Sequence, residues 1–87
     1  DLPAALKGYQ RLNALAMGVV RRGGLLATCS CSQLVDEQSF LRMLAAAASD
    51  AGRRVTVLYR GSQGLDHPVP PSFDEGRYLK FVLLGVL

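Results

Sequence analysis

Gly23-Gly24-Leu25-Leu26-Ala27-Thr28-Cys29-Ser30-Cys31-Ser32 is the stretch whose reading decides the fold. Two glycines make a turn, an apolar run follows, and the run ends in a polar cluster that holds both cysteines. Residues 25–30 read as a short strand. The run is continuous rather than alternating, which predicts burial on both faces, as in the middle of an α/β sheet. In open α/β sheets ligands bind beyond the carboxyl ends of the strands. A thiol placed there is a candidate nucleophile.

Upstream, Asp1-Leu2-Pro3 has the capping acid and early proline of a helix start. The helix is predicted over residues 3–20, with Leu12, Leu15, Ala16 and Val19 as its buried face at i, i+3, i+4, i+7 spacing. Gly8 and Gly18 weaken it, and Gly23-Gly24 should supply a left-handed C-cap and a turn. Downstream, Asp36 can cap a second helix over residues 37–51. Its inward face is Phe40, Leu41, Leu44, Ala47, Ala48 and Ala51, and Gly52 stops it. Residues 55–59 are rich in β-branched residues and read as a strand. Residues 61–76 are punctuated by glycine and proline and read as a long loop, a length often tied to function. Residues 78–87 make a last, almost wholly apolar strand.

The order is α-β-α-β-β. The fold class is α/β, with a mixed three-stranded sheet. A right-handed crossover makes the first two strands parallel, and the last strand enters antiparallel. This is half of a doubly wound sheet.

The chain has 87 residues, enough for one small domain. A chain of this size buries only about 60–65% of its unfolded surface, yet 49% of its residues are hydrophobic. The excess predicts either a very apolar core or apolar surface that a partner covers, and points to a part missing from this chain. The net charge of +3 is mild. The doublets Arg21-Arg22 and Arg53-Arg54 each follow a predicted helix, where cations suit the negative end of the dipole. Two cysteines one residue apart cannot easily bridge. No signal peptide, apolar run of membrane-spanning length or lipidation motif is seen, so the expected setting is reducing and cytoplasmic, with no membrane partner. Cys-x-Cys with one distant His67 does not make a metal site.

Several local motifs, in order, carry a resemblance. They are Tyr9-Gln10-Arg11-Leu12-Asn13, Gly23-Gly24-Leu25-Leu26, Thr28-Cys29-Ser30-Cys31-Ser32, Phe40 and Ala51-Gly52-Arg53. Gln63, Asp66-His67-Pro68 and Glu75-Gly76-Arg77-Tyr78-Leu79-Lys80 complete the set. Together they resemble the carboxyl-terminal half of a class I S-adenosylmethionine-dependent methyltransferase. More narrowly, they are similar to bacterial large-subunit ribosomal RNA cytosine-carbon-5 methyltransferases, which usually carry an amino-terminal PUA domain. That family usually has a proline before the Glu-Gly pair, where this chain has Asp74.

The resemblance implies that residues 1–87 are the carboxyl-terminal part of a Rossmann-like methyltransferase domain. The S-adenosylmethionine site is then expected upstream of Asp1, and the chain alone is expected to be inactive. The implied partner is ribosomal RNA, and the implied nucleophile is Cys31, with Cys29 structural. Without the resemblance, two inert buried thiols are the plainer reading, since free cysteine is among the most buried residue types.

The candidate substrate-binding residues are His67, beside the target base, and Lys80, on RNA phosphates together with Arg77. The plain alternatives are a His67 that holds its own loop and cations that are simply solvated. Tyr9 and Tyr78 can stack on a base or pack in the core. A different class of function is a non-catalytic α/β binding module. In it the strand at residues 25–30 is an open edge, and the chain associates with itself.

Overall fold

Asp36 and Gly52 bracket the best-defined helix of the chain. The Asp36 carboxylate accepts the Ser39 N–H at 2.7 Å, and Gly52 takes the left-handed conformation at φ 66°. There the N–H groups of Gly52 and Arg53 close back on the carbonyls of Ser49 and Ala48, satisfying acceptors that the helix end leaves open.

The computed structural model describes residues 2–61 and 79–87. Its elements are α1 (Leu2–Val19), β1 (Gly24–Ser30), α2 (Glu37–Ala51), β2 (Val55–Gly61) and β3 (Lys80–Val86). The expected order holds. Gly23 adopts φ 84°, but α1 has already ended at Val19. The glycines therefore build the turn into β1 rather than the helix cap. Gly24 N–H donates to Arg21 O at 2.8 Å, and Gly23 N–H donates to Val86 O at 2.7 Å.

The sheet order is β1-β3-β2. β3 pairs antiparallel with both neighbours, Ser30 facing Lys80 on one side and Gly61 facing Phe81 on the other. The antiparallel entry of the last strand is as expected. The mixed sheet is not: β3 lies between β1 and β2, so those two share no parallel ladder. Burial along β1 alternates, which corrects the expectation that both its faces are covered. Leu26, Thr28 and Ser30 turn towards the helices, while Leu25, Ala27 and Cys29 lie exposed on the other face. Both described helices pack on one side, so a run of apolar residues need not be buried twice.

The core joins Met17 of α1, Val35, five residues of α2 from Phe40 to Ala48, and Val82 and Leu84 of β3. The α2 face is as read from the sequence, with Met43 added and Leu41 and Ala51 at its margin. The α1 face is not. Leu12, Leu15 and Val19 are 64%, 66% and 85% exposed, and Ala16 is only half-buried. The inward stripe is instead Leu6, Tyr9, Asn13 and Met17, on a different face of the helix. It was hidden because its central residue is polar. Arg53 ties the ends of both helices together, its guanidinium donating to Met17 O at 2.7 Å. The cation serves the negative end of the neighbouring helix rather than its own.

Phe40 is fully buried and meets Tyr9 edge to face, with ring centroids 6.4 Å apart. Phe40→Ala should destabilise the protein by about 3–5 kcal/mol, read from its denaturant midpoint. A loss under about 1 kcal/mol would mean that the ring does not pack as described.

Candidate functional site

β1 ends at Ser30, and Cys31 is the first residue beyond it. The chain then reaches the α2 cap at Asp36 within a few residues. Both cysteines are free and exposed, so neither is the buried thiol of the plainer reading. They differ in setting. Cys29 sits within the ladder opposite Phe81, on the outer face of the sheet. Cys31 lies in the loop at the carboxyl end of the strand.

The residues on either side of Cys31 are pinned. Ser30 is buried. Its Oγ donates to the Tyr9 hydroxyl at 3.1 Å and accepts the Ser32 N–H at 3.2 Å. The Ser32 hydroxyl in turn accepts the Leu34 N–H at 3.2 Å. The Ser32 carbonyl accepts from Lys80 Nζ at 2.7 Å. The loop backbone is thus held from α1 on one flank and from β3 on the other, while the thiol between them stays open.

One layer below, Asn13 extends the same network. Its amide donates to Tyr9 O at 2.8 Å, and its carbonyl oxygen accepts the Thr28 hydroxyl at 2.6 Å. A buried polar side chain is costly unless bonded, and these partners explain why Asn13 can sit where an apolar residue would be expected. Tyr9 follows the packing reading, its ring against Phe40 and its hydroxyl spent on Ser30.

Lys80 is 6% exposed, which corrects the solvated-surface reading. Burial pushes its ammonium below the usual lysine range, opposed by the Asp36 carboxylate and the Cys31 sulfur nearby. The Asp36 carboxyl is held below its usual range chiefly by its hydrogen bonds to Ser39, which outweigh the opposing effect of burial, with smaller help from the charges of Arg42 and Lys80. Cys31, Lys80 and Asp36 therefore share one neighbourhood. His67, Arg77 and Tyr78, with the motifs around Gln63 and Glu75, lie outside the described residues.

The chain is similar along its whole length to proteins named as ribosomal RNA large subunit methyltransferases. It is 46% identical over 87 residues to Ribosomal RNA large subunit methyltransferase I of Pseudoalteromonas atlantica and, over the same length, to that of Vibrio vulnificus strain YJ016. It is 40% identical over 86 residues to the protein of that name from Pseudoalteromonas translucida. In each case the match covers 99–100% of this chain but 22% of the relative. No family model matches.

The glycines at close quarters are Gly24, Gly61 and Gly85. A Cβ at each would meet Val20 and Arg21, Tyr59, or Thr56 and Leu58 respectively. The space beside these three is filled by the chain's own atoms. Among the described residues no three His, Cys, Asp or Glu side chains group to hold a metal ion, and no helix is long and apolar enough to cross a membrane.

Tyr9, Asn13, Thr28 and Ser30 are the site residues that the sequence reading passed over in this role. Their signal is faint but present: polar residues at every second position of an apolar strand, facing polar residues four apart on a helix. Asp36 gives the first test of the loop. Its folded value lies below 3.8, so its stabilising contribution is present above that value and is lost as pH falls through the folded one. Asp36→Ala should lower the thermal midpoint at neutral pH, and the gap to wild type should narrow below pH 3.8. A gap that persists unchanged into acid would show that the charge is not what stabilises the cap.

Proposed function

We propose that the protein carrying this chain is an RNA methyltransferase that modifies carbon 5 of a cytosine in large-subunit ribosomal RNA, with Cys31 as covalent nucleophile. The observation that carries this reading is an exposed thiol at the carboxyl end of β1, its backbone pinned on both flanks by Ser30 and Ser32. Similarity to proteins named for large-subunit ribosomal RNA methylation supports the reaction class and the substrate. S-adenosylmethionine is the methyl donor in this reading, and its site lies in other parts of the enzyme. Neither a PUA domain nor a Rossmann-like parent sheet is needed for the reading, though both are compatible with it.

Carbon 5 of cytosine is a poor nucleophile. The Cys31 thiolate adds to carbon 6, forming a C–S bond and moving the ring's π electrons towards carbon 5. Carbon 5 could then attack the sulfonium methyl of S-adenosylmethionine, whose S–CH3 bond would break and leave its electrons on sulfur as a neutral thioether. Loss of the carbon-5 proton to water restores the double bond, and the C–S electrons leave with sulfur. One difficult step becomes several easier ones. The base must leave its stack to reach the thiol. A cysteine held by its backbone but open at sulfur suits in-line approach to the ring, since little reorganisation remains. His67, which lies outside the described residues, is kept in this reading as a candidate substrate-binding residue.

The isolated 87-residue chain is expected to be inactive and to associate with itself. Leu25, Val57, Leu58 and Tyr59 on the sheet and Leu12, Leu15 and Val19 on α1 are large exposed apolar residues, and such patches mark contact surfaces. This favours the association part of the binding-module reading without competing with catalysis. Light scattering should find oligomers, and a monodisperse monomer would overturn that expectation.

In the intact enzyme Cys31→Ala should lower kcat by about 10³-fold or more. Cys29→Ser should stay within about threefold of wild type. RNA carrying 5-fluorocytosine should form a stable adduct with the wild-type enzyme and none with Cys31→Ala. Near-normal turnover by Cys31→Ala would defeat the covalent mechanism.

A further inference from the structure

Among the described residues, the other lysine and the arginines are exposed or at most half-buried. Lys80 alone is buried, at 6% exposure. An ammonium is taken out of water at a cost unless it is bonded and faces opposite charge. Here Nζ donates to Ser32 O at 2.7 Å, with the Asp36 carboxylate and the Cys31 sulfur close enough to act on it. The placement is built into the sheet. Lys80 opens β3 directly opposite Ser30, the last residue of β1, and Cys31 and Ser32 follow. A phosphate contact would need Nζ presented outwards, whereas this Nζ reaches into the loop.

We propose that Lys80 is a positioning residue for Cys31, holding the Ser32 carbonyl so that the thiol keeps its aim and setting a positive charge beside the sulfur as it attacks and leaves the ring. This deepens the reading of Cys31 as nucleophile and rests on it. It takes the place of the phosphate contact that the sequence suggested for Lys80. The two roles separate cleanly. A phosphate contact acts on RNA affinity and its salt dependence. A positioning residue acts on the reactivity of the thiol and on turnover.

The test compares wild-type intact enzyme with Lys80→Met and Lys80→Gln. Glutamine keeps a donor for the Ser32 carbonyl without charge, and it serves if the methionine variant fails to fold. Three quantities are read on variants with native circular dichroism: kcat and KM on ribosomal RNA, the rate of Cys31 alkylation by iodoacetamide at neutral pH followed by peptide mass, and the salt dependence of RNA binding. The expected result is a fall in kcat of about tenfold or more with KM changed by less than about twofold. Alkylation of Cys31 should slow by about threefold or more, with the salt slope unchanged. Unchanged alkylation in folded Lys80→Gln would overturn the proposal. So would a raised KM at constant kcat with a salt slope smaller by about one, which is the mark of a phosphate contact. Alkylation needs no turnover. An active Cys31→Ala enzyme would therefore remove the nucleophile reading by itself, while the alkylation rate still decides whether Lys80 acts on Cys31.

Discussion

The register that sets Lys80 opposite Ser30 is the constraint on which the site depends. Strand pairing is strict because a slip of one residue turns every side chain to the other face. In the observed register Val82, Leu84 and Val86 enter the core, and the same alternation carries Lys80 to the helix side at the strand's mouth. The apolar residues thus enforce the position of the charged one. β3 can occupy this place only because it lies between β1 and β2, where it ties the cysteine strand to the rest of the sheet.

Much of the fold was legible because its signals are local. Asp36, Gly52 and the spacing of Phe40, Leu44, Ala47 and Ala48 define α2 without help from elsewhere. The β-branched start of β2 and the apolar β3 were equally plain. What misled was α1. Its most hydrophobic stripe, Leu12, Leu15 and Val19, faces outwards, and its packing face runs through Asn13. Periodicity weighs only how apolar a residue is. It cannot register that a buried amide is offset by Thr28 and the carbonyl of Tyr9. The continuous run in β1 misled similarly. It predicts cover on two sides, and the described helices cover one.

For the site, the choice of Cys31 over Cys29 was available from sequence through resemblance alone. The structure adds the physical difference: one thiol lies in a ladder, the other in a loop held at both flanks. The partnership with Lys80 was not legible, since 49 positions separate the two residues. A lysine three residues beyond Arg77 reads as a surface cation. Only the pairing of β1 with β3 turns it into part of the cysteine loop.

The central place of β3 also sets an order of events in assembly. β1 and β2 have no ladder of their own, and each finds its partner in the segment of the described chain made last. Contacts between distant segments form slowly, because a long loop must close before they repay its entropy. While the helix pair can dock early, the sheet waits for residues 80–86 to leave the ribosome. Until they do, the carbonyl of Ser32 lacks the Lys80 ammonium as its partner. The cysteine loop therefore gains its hold from β3 only as the sheet closes.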